Sequence, residues 1–407
     1  MSRRKRLRSS SICAPTLKAL EATTTLPTDL LLEIMARTDL VTVVRGAAVC
    51  KHLRRDILCP SFIRRITQQA APSIRDLLCT YVDTPALTLV YPATPCLGHN
   101  HLSPPSLLRN ADKDVLGPYY PVASRGGLVV LNMNTWPNKS KGSFEFDLAV
   151  YDPMVDHCTF LSKPPDESET ESSICNEHKY VLLTAADGID CSFMLLSIVF
   201  NRSSMKVCTS TSSSPTWGPI TCVTHHDFTW WLINGYKDPA VLRGGVIHWL
   251  RYTGDQIVTY NVRTGMPGLV KLPPTKRNAR YSHLATSPNG NMLQLLDVDG
   301  FKISVWQRLP TGEECGGSGW ALQTVIDVEE KLLFSYPNSH VGVDPDALAE
   351  FKGFGNRSGD IVLMEARYEK GYLVFDLKRR EMNTQKHRST LLELDLLSRL
   401  QNMRLFS

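Results

Sequence analysis

Two stretches of this chain align with each other without a gap. YDPMVDHCTFLSKPP (Tyr151 to Pro165) matches YNVRTGMPGLVKLPP (Tyr260 to Pro274), with Tyr151 on Tyr260 and Pro164–Pro165 on Pro273–Pro274. Each is preceded by an Arg-Gly-Gly opener running into an apolar strand, RGGLVVL from Arg125 and RGGVIHWL from Arg243. A weaker third copy is RSGDIVLMEARYEKGYLVFDLKRREM, Arg357 to Met382. The unit is a Gly turn, an apolar strand, a loop, a second strand ending aromatic-polar, a tight turn and a third strand. A repeat of this kind constrains architecture strongly, because each unit buries its apolar faces only by stacking on its neighbours. From about residue 120 the whole texture is short alternating runs separated by Gly, Pro, Asn and Asp. Asn289-Gly290 and Asp299-Gly300 are dipeptides of type I′ hairpins. The spacing predicts the blades of a β-propeller over residues 106–385, about six or seven of them at roughly 45 residues each, with ring closure removing the exposed edges. A Greek-key sandwich pair would use similar hairpins; the repeated Gly-Gly opener favours the propeller.

The front of the chain reads quite differently. In LPTDLLLEIMARTDLVTVVRGAAVCKHLRRDILCPSF, Leu26 to Phe62, the apolar residues follow helical spacing, with Leu30, Ile34 and Arg37 on one side and Leu31 and Met35 beside them. Pro27 suits a first helical turn, with Thr25 or Leu26 as the cap. Asp39 would cap a second helix over LVTVVRGAAV, and a third runs through CKHLRRDIL until Pro60 ends it. The pattern predicts three helices within residues 25–66. So few residues have too little interior to hide that much Leu and Val, and part of the apolar surface must face a partner. Residues 1–24 read as a basic disordered leader, 67–105 as a connector, and the Leu-rich 386–407 as a helical tail packed on the β region. The predicted fold class is α+β and multidomain: a small all-α three-helix unit followed by an all-β, propeller-like (kelch-like) repeat domain.

Leu26, Pro27, Asp29, Leu30, Leu31, Glu33, Ile34, Met35 and Arg37, then Val49, Cys50, Lys51 and Arg54, then Ile57, Pro60 and Phe62, resemble the F-box, with no insertion between Arg37 and Cys50. The combination with a propeller-like region is similar to the plant F-box proteins that carry an F-box-associated β domain. Two departures stand out: Thr38-Asp39 replace the usual Leu-Pro, and Leu53 replaces the usual Trp. The resemblance implies a non-catalytic substrate receptor without a cofactor. Its F-box docks on a SKP-type adaptor, and through it on the cullin and RING subunits of a ubiquitin ligase, while the β domain holds an unknown target protein. The adaptor-binding residues it implies are Leu26, Pro27, Leu30, Leu31, Ile34, Val49, Cys50, Leu53, Ile57 and Pro60. The competing reading of each is core packing within the helical unit. The interface is favoured for Leu26 and Pro27, the two readings balance for Ile34 and Val44, and Cys50 reads as a buried small hydrophobe. The alternative function is a protein-binding scaffold with a degenerate F-box that recruits no ligase.

Charge and motif content narrow the remaining classes. The net charge is +5, but residues 1–24 alone hold six basic groups and one acid, leaving 39 of each sign elsewhere. The folded part is neutral, which argues against a nucleic-acid partner. RRKRLR is either a nuclear import signal or a plain tail. The apolar run FMLLSIVF, Phe193 to Phe200, is far short of the roughly 20 residues that span a bilayer, so no membrane is expected. Eleven cysteines without a CxxC pair suit reduced thiols in the nucleus or cytoplasm. DVDG at Asp297 resembles the start of a calcium loop, but Arg308 stands where such a loop needs its last Glu, so a hairpin turn is expected. The histidine pairs His99/His101 and His225/His226 lack a third ligand at zinc spacing. GFGNRSG lacks the last Gly of a dinucleotide fingerprint, and PPDESETESSIC reads as a solvated loop. Trp230, Trp231, Trp249, Trp306 and Trp320 are expected in blade cores. Scattered acids argue against a sugar-active or hydrolytic propeller enzyme.

Overall fold

A computed structural model of the chain describes residues 26–38, 40–69, 77–81, 88–90, 119–133, 147–152, 157–165, 178–201, 204–224, 238–251, 256–273, 282–287, 290–299, 301–310, 319–330, 349–354, 361–366, 371–376, 380–385 and 389–393. The basic leader, Asp39, both histidine pairs, Trp230-Trp231, most of the acidic loop, GFGNRSG from Gly355 and the tail beyond residue 393 lie outside the described residues.

Helices occupy the front: α1 (Thr28–Arg37), α2 (Leu40–Val49), α3 (Lys51–Ile57) and α4 (Pro60–Gln69). The sequence predicts three helices ending at Pro60. In the structure Pro60 opens a fourth instead, because a proline at the first helical position gives up no intrahelical hydrogen bond.

The rest of the described chain is β. β1 (Leu77–Tyr81) and β2 (Thr88–Val90) form a hairpin, and five antiparallel meanders of four strands follow. The first is β3 (Tyr119–Arg125), β4 (Leu128–Met133), β5 (Leu148–Asp152) and β6 (His157–Leu161). The second is β7 (Lys179–Thr184), β8 (Phe193–Phe200), β9 (Ser204–Thr211) and β10 (Thr221–Thr224). The third is β11 (Ala240–Leu242), β12 (Val246–Leu250), β13 (Gln256–Asn261) and β14 (Met266–Lys271). The fourth is β15 (Ser282–Thr286), β16 (Leu293–Asp299), β17 (Lys302–Arg308) and β18 (Trp320–Asp327). The fifth is β19 (Ala349–Phe354), β20 (Ile361–Ala366), β21 (Gly371–Asp376) and β22 (Glu381–Gln385). β23 (Ser389–Glu393) then returns to pair with β1, giving a sixth sheet of order β2-β1-β23.

The leading strands of the sheets touch in the sequence β3–β7, β11–β15, β15–β19, β19–β23 and β23–β3. A shared apolar core joins β7–β9 to β11–β13. The ring of six described sheets is therefore closed, in a propeller-like arrangement. Two expectations are corrected here. Residues 67–105 are not merely a connector, since β1 and β2 belong to the last sheet, and Ser389–Glu393 is a strand rather than part of a helical tail. Leu and Glu give that segment local helical preference, but the ladder offered by Leu77–Tyr81 outweighs it.

Why the repeated unit recurs is visible in the register. Val129 pairs with Tyr151, Ile247 with Tyr260 and Val362 with Phe375, so one aromatic position falls opposite the second residue of the preceding strand in three sheets. All three aromatic side chains are buried. Each described Gly-Gly opener is the turn between a sheet's first two strands. Gly126 and Gly127, which form a two-residue turn between the paired Arg125 and Leu128, have φ of 57° and 85°, while Gly244 and Gly245, in a three-residue turn between Leu242 and Val246, have 93° and 77°, conformations that suit glycine.

Apolar runs such as Leu128–Leu131 alternate faces and are buried on both. Leu128 and Val130 pack with Leu182, Phe193 and Leu195 of the second sheet. Val181, Leu183 and Ile198 pack with Ile247, Trp249 and Tyr260 of the third. Leu250 and Ile257 pack with Leu284, Leu295 and Trp320 of the fourth. Indole N–H groups add matching polar ties between neighbours: Trp217 donates to the Ser162 carbonyl at 2.9 Å and Trp320 to the Lys271 carbonyl at 2.8 Å.

A buried ion pair joins three sheets. The Arg125 guanidinium donates to the Asp187 carboxylate at 2.7 and 2.6 Å and to the Val241 carbonyl at 2.9 Å. Asp187 sits in a short 3-10 turn after β7, where it also accepts from the Thr184 N–H at 2.9 Å.

Candidate functional site

The helical unit is not a bead on a string. Val43, Val44, Ala47, Ile57, Leu58, Phe62 and Ile66 share one core with Tyr119, Val129, Leu131, Ala149 and Tyr151. Those strand residues lie on the face of the first sheet turned away from the second. The helices therefore cover the first sheet on the side of the sixth sheet, which has three strands among the described residues where the others have four.

Helix α1 has two distinct faces. Leu32, Met35 and Ala36 pack against the common core. Gly46 on α2 allows this approach, since a Cβ there would lie 2.7 Å from the Met35 Cε. On the opposite side Leu26, Leu30 and Ile34 follow one another at intervals of four and are 51%, 50% and 50% exposed. Among the described residues only four large hydrophobes are at least half exposed, and Leu26, Leu30 and Ile34 are three of them. Scattered exposed leucines are ordinary, whereas neighbouring exposed apolar side chains form a patch of the kind interaction sites use.

Local sequence sets the helix ends. Pro27 is itself the cap residue, with extended backbone, and its carbonyl accepts from the Leu30 and Leu31 N–H groups at 3.0 and 3.1 Å. Thr38 closes the far end by donating its hydroxyl to the Met35 carbonyl at 2.9 Å. Glu33 accepts from Arg37 at 3.1 Å and from Arg65 of α4, tying the first helix to the last. Hydrogen bonding from Arg65 first, and then from Arg37, holds its carboxyl below the usual carboxylate range. Arg54 reaches back from α3 to the Ala47 carbonyl at 2.8 Å and the Ala48 carbonyl at 3.3 Å, occupying orphan acceptors at the end of α2.

The structure divides the predicted interface residues. Leu26, Pro27, Leu30, Ile34, Cys50 and Pro60 are exposed, and Leu31 and Leu53 are half-buried. Ile57 is fully buried in the common core and is corrected to a packing residue, as its side of α3 faces inward. Cys50 is corrected the other way: it caps α3 and lies on the surface. Val44 is core and Ile34 is not. The Val49 side chain lies outside the described residues. Sequence reasoning missed the Glu33–Arg65 tie and the strand half of the core, for which the two-sided apolar run Leu128–Leu131 was the available signal. Among the described residues no group of His, Cys, Asp and Glu is placed to hold a metal ion, and no helix is long and apolar enough to cross a membrane.

Residues 92–406, most of the ring, match the family described as "Domain of unknown function (DUF7595)". The chain belongs to that family. The DUF7595 match starts after β1 and β2, although both strands complete the sheet that β23 closes. The four helices likewise precede it. No curated protein matches the chain. Among solved structures, a Lactobacillus plantarum protein is 12% identical with a TM-score of 0.35, over 78% of this chain and 81% of that one. A streptogramin B lyase is 10% identical with a TM-score of 0.34, over 80% and 76%. Virginiamycin B lyase from Staphylococcus aureus is 11% identical with a TM-score of 0.35, over 66% and 69%. Likenesses this distant carry no argument about what the DUF7595 ring binds.

Proposed function

We propose that this chain is the substrate-recognition subunit of a SKP–cullin–F-box ubiquitin ligase, working in the nucleus or cytoplasm. In this reading the helical unit is an F-box that docks on a SKP-type adaptor, and the ring holds the target protein. One observation carries the proposal: Leu30 and Ile34 on α1, and Leu26 just ahead of it, stay half-exposed while the helix's other face is committed to the core. A helix built this way offers a partner helix a ready apolar seam. Chemistry is left to the recruited enzyme. The receptor contributes proximity, turning an encounter between two proteins into a transfer within one complex.

The test is capture of a SKP-type adaptor by the full chain and by a Leu30→Asp/Ile34→Asp variant. Both side chains are half-exposed, so the variant keeps its fold by circular dichroism and loses the adaptor. A folded wild-type chain that captures no adaptor refutes the ligase reading. It leaves the scaffold with a degenerate F-box, which Leu53 and Thr38-Asp39 favour.

A further inference from the structure

Over residues 26–69 the helical unit carries Arg37, Arg45, Lys51, Arg54, Arg55, Arg64 and Arg65 against Asp29, Glu33, Asp39 and Asp56. Internal contacts use these charges unevenly. Glu33 is taken by Arg37 and Arg65, and Arg54 is turned onto the α2 carbonyls. Arg55 reaches Asp56 only at 3.6 Å. Arg45, Lys51 and Arg55 point to solvent, with His52 beside them, and Asp29 is the exposed acid without an ion pair among the described residues. On α3 the positions of Lys51, His52 and Arg55 fall on one side and those of Leu53 and Ile57 on the other. The exposed charge of the helical unit is therefore mostly basic, although the chain beyond its leader is neutral.

We infer that this basic excess on the helical unit selects a partner whose docking surface is acidic, and that it accelerates docking on the Leu26–Leu30–Ile34 stripe. The inference rests on the adaptor reading above and specifies the chemistry of the adaptor's face. Exposed charge of one sign on the docking unit biases the approach of an oppositely charged partner, and the bias fades with salt as the screening length falls to about 10 Å at 0.1 M. Charges so placed act on the encounter rate more than on the lifetime of the complex.

The experiment measures association and dissociation of a SKP-type adaptor on the immobilised full chain, wild type and Arg45→Glu/Lys51→Glu/Arg55→Glu, at 50 and 500 mM NaCl. All three positions are exposed, so the fold is retained, as circular dichroism verifies. The triple variant is expected to associate at least about tenfold more slowly at 50 mM. The difference shrinks to within about twofold at 500 mM, with dissociation little changed. Equal association rates at low salt overturn the inference while leaving the adaptor reading intact. A wild-type chain that captures no adaptor overturns both. Wild-type association that does not slow with salt, or slowing matched in the triple variant, assigns the docking to apolar contact alone and also overturns it.

Discussion

Ile57→Ala is the perturbation that most directly examines how the helices are mounted. Ile57 is completely buried, in a core that includes α2, α4 and the outer face of the first sheet. Truncating a buried isoleucine to alanine costs about 2–5 kcal/mol, from lost transfer energy and the cavity left behind. With about 3 kcal/mol and a urea slope near 3 kcal/mol/M, the unfolding midpoint moves down by about 1 M. The informative part is which signals move. If helices and sheet share one core, far-ultraviolet circular dichroism and aromatic near-ultraviolet signals shift together, because Tyr119 and Tyr151 lie in the same cluster as Ile57. A variant whose helical signal melts early while the aromatic transition keeps the wild-type midpoint would falsify the shared core. The helices would then be an independent domain on a tether.

Two further outcomes follow from the ring. Arg125→Met strands the Asp187 carboxylate at 0% side-chain exposure and is expected to cost about 3–5 kcal/mol, whereas Arg125→Met/Asp187→Leu recovers most of that loss; urea midpoints of the two variants decide it, and equal midpoints would contradict the ion-pair account. His248, between the third and fourth sheets, has its pKa pushed down to about 4, by burial first and by the nearby Arg308 charge second. The folded state therefore binds this proton less readily than the unfolded state, so stability is full above about pH 6.5 and declines as pH falls toward 4, by roughly 3 kcal/mol over the window. His248→Leu flattens that part of the profile in thermal melts at pH 7.5, 5.5 and 4.5, and an unchanged slope would remove His248 as the cause.

Much of the ring was legible because its signals are local. The Arg-Gly-Gly turns, the Tyr151/Tyr260 repeat and the Asp299-Gly300 hairpin are each set by neighbours a few residues away, and each appears where the pattern places it. Trp249 and Trp320 are buried as expected, and Trp306 packs against the same core as Trp320. What the pattern could not show depends on distant partners. Leu77–Tyr81 is an unremarkable apolar run until Ser389–Glu393 lies beside it. Helical spacing likewise identifies the apolar side of α1 and α3, but not which of those residues the first sheet covers, so it cannot tell the buried Ile57 from an interface residue or the exposed Cys50 from a core one. Pro60 is ambiguous by nature, since the same ring that ends one helix is welcome at the start of the next.

Closing the ring with β23 also sets an order of events during synthesis. β1 and β2 leave the ribosome early, and their partner follows ~300 residues later, a wait on the order of 15 to 60 s at roughly 5–20 residues per second. Through that interval the hairpin presents a bare edge, the kind of surface that recruits the wrong strand from a neighbouring chain. The first sheet, by contrast, is finished at Leu161. The helices thus gain their platform while most of the ring is still unmade, and the exposed Leu30–Ile34 face of α1 is in place before the last sheet is sealed.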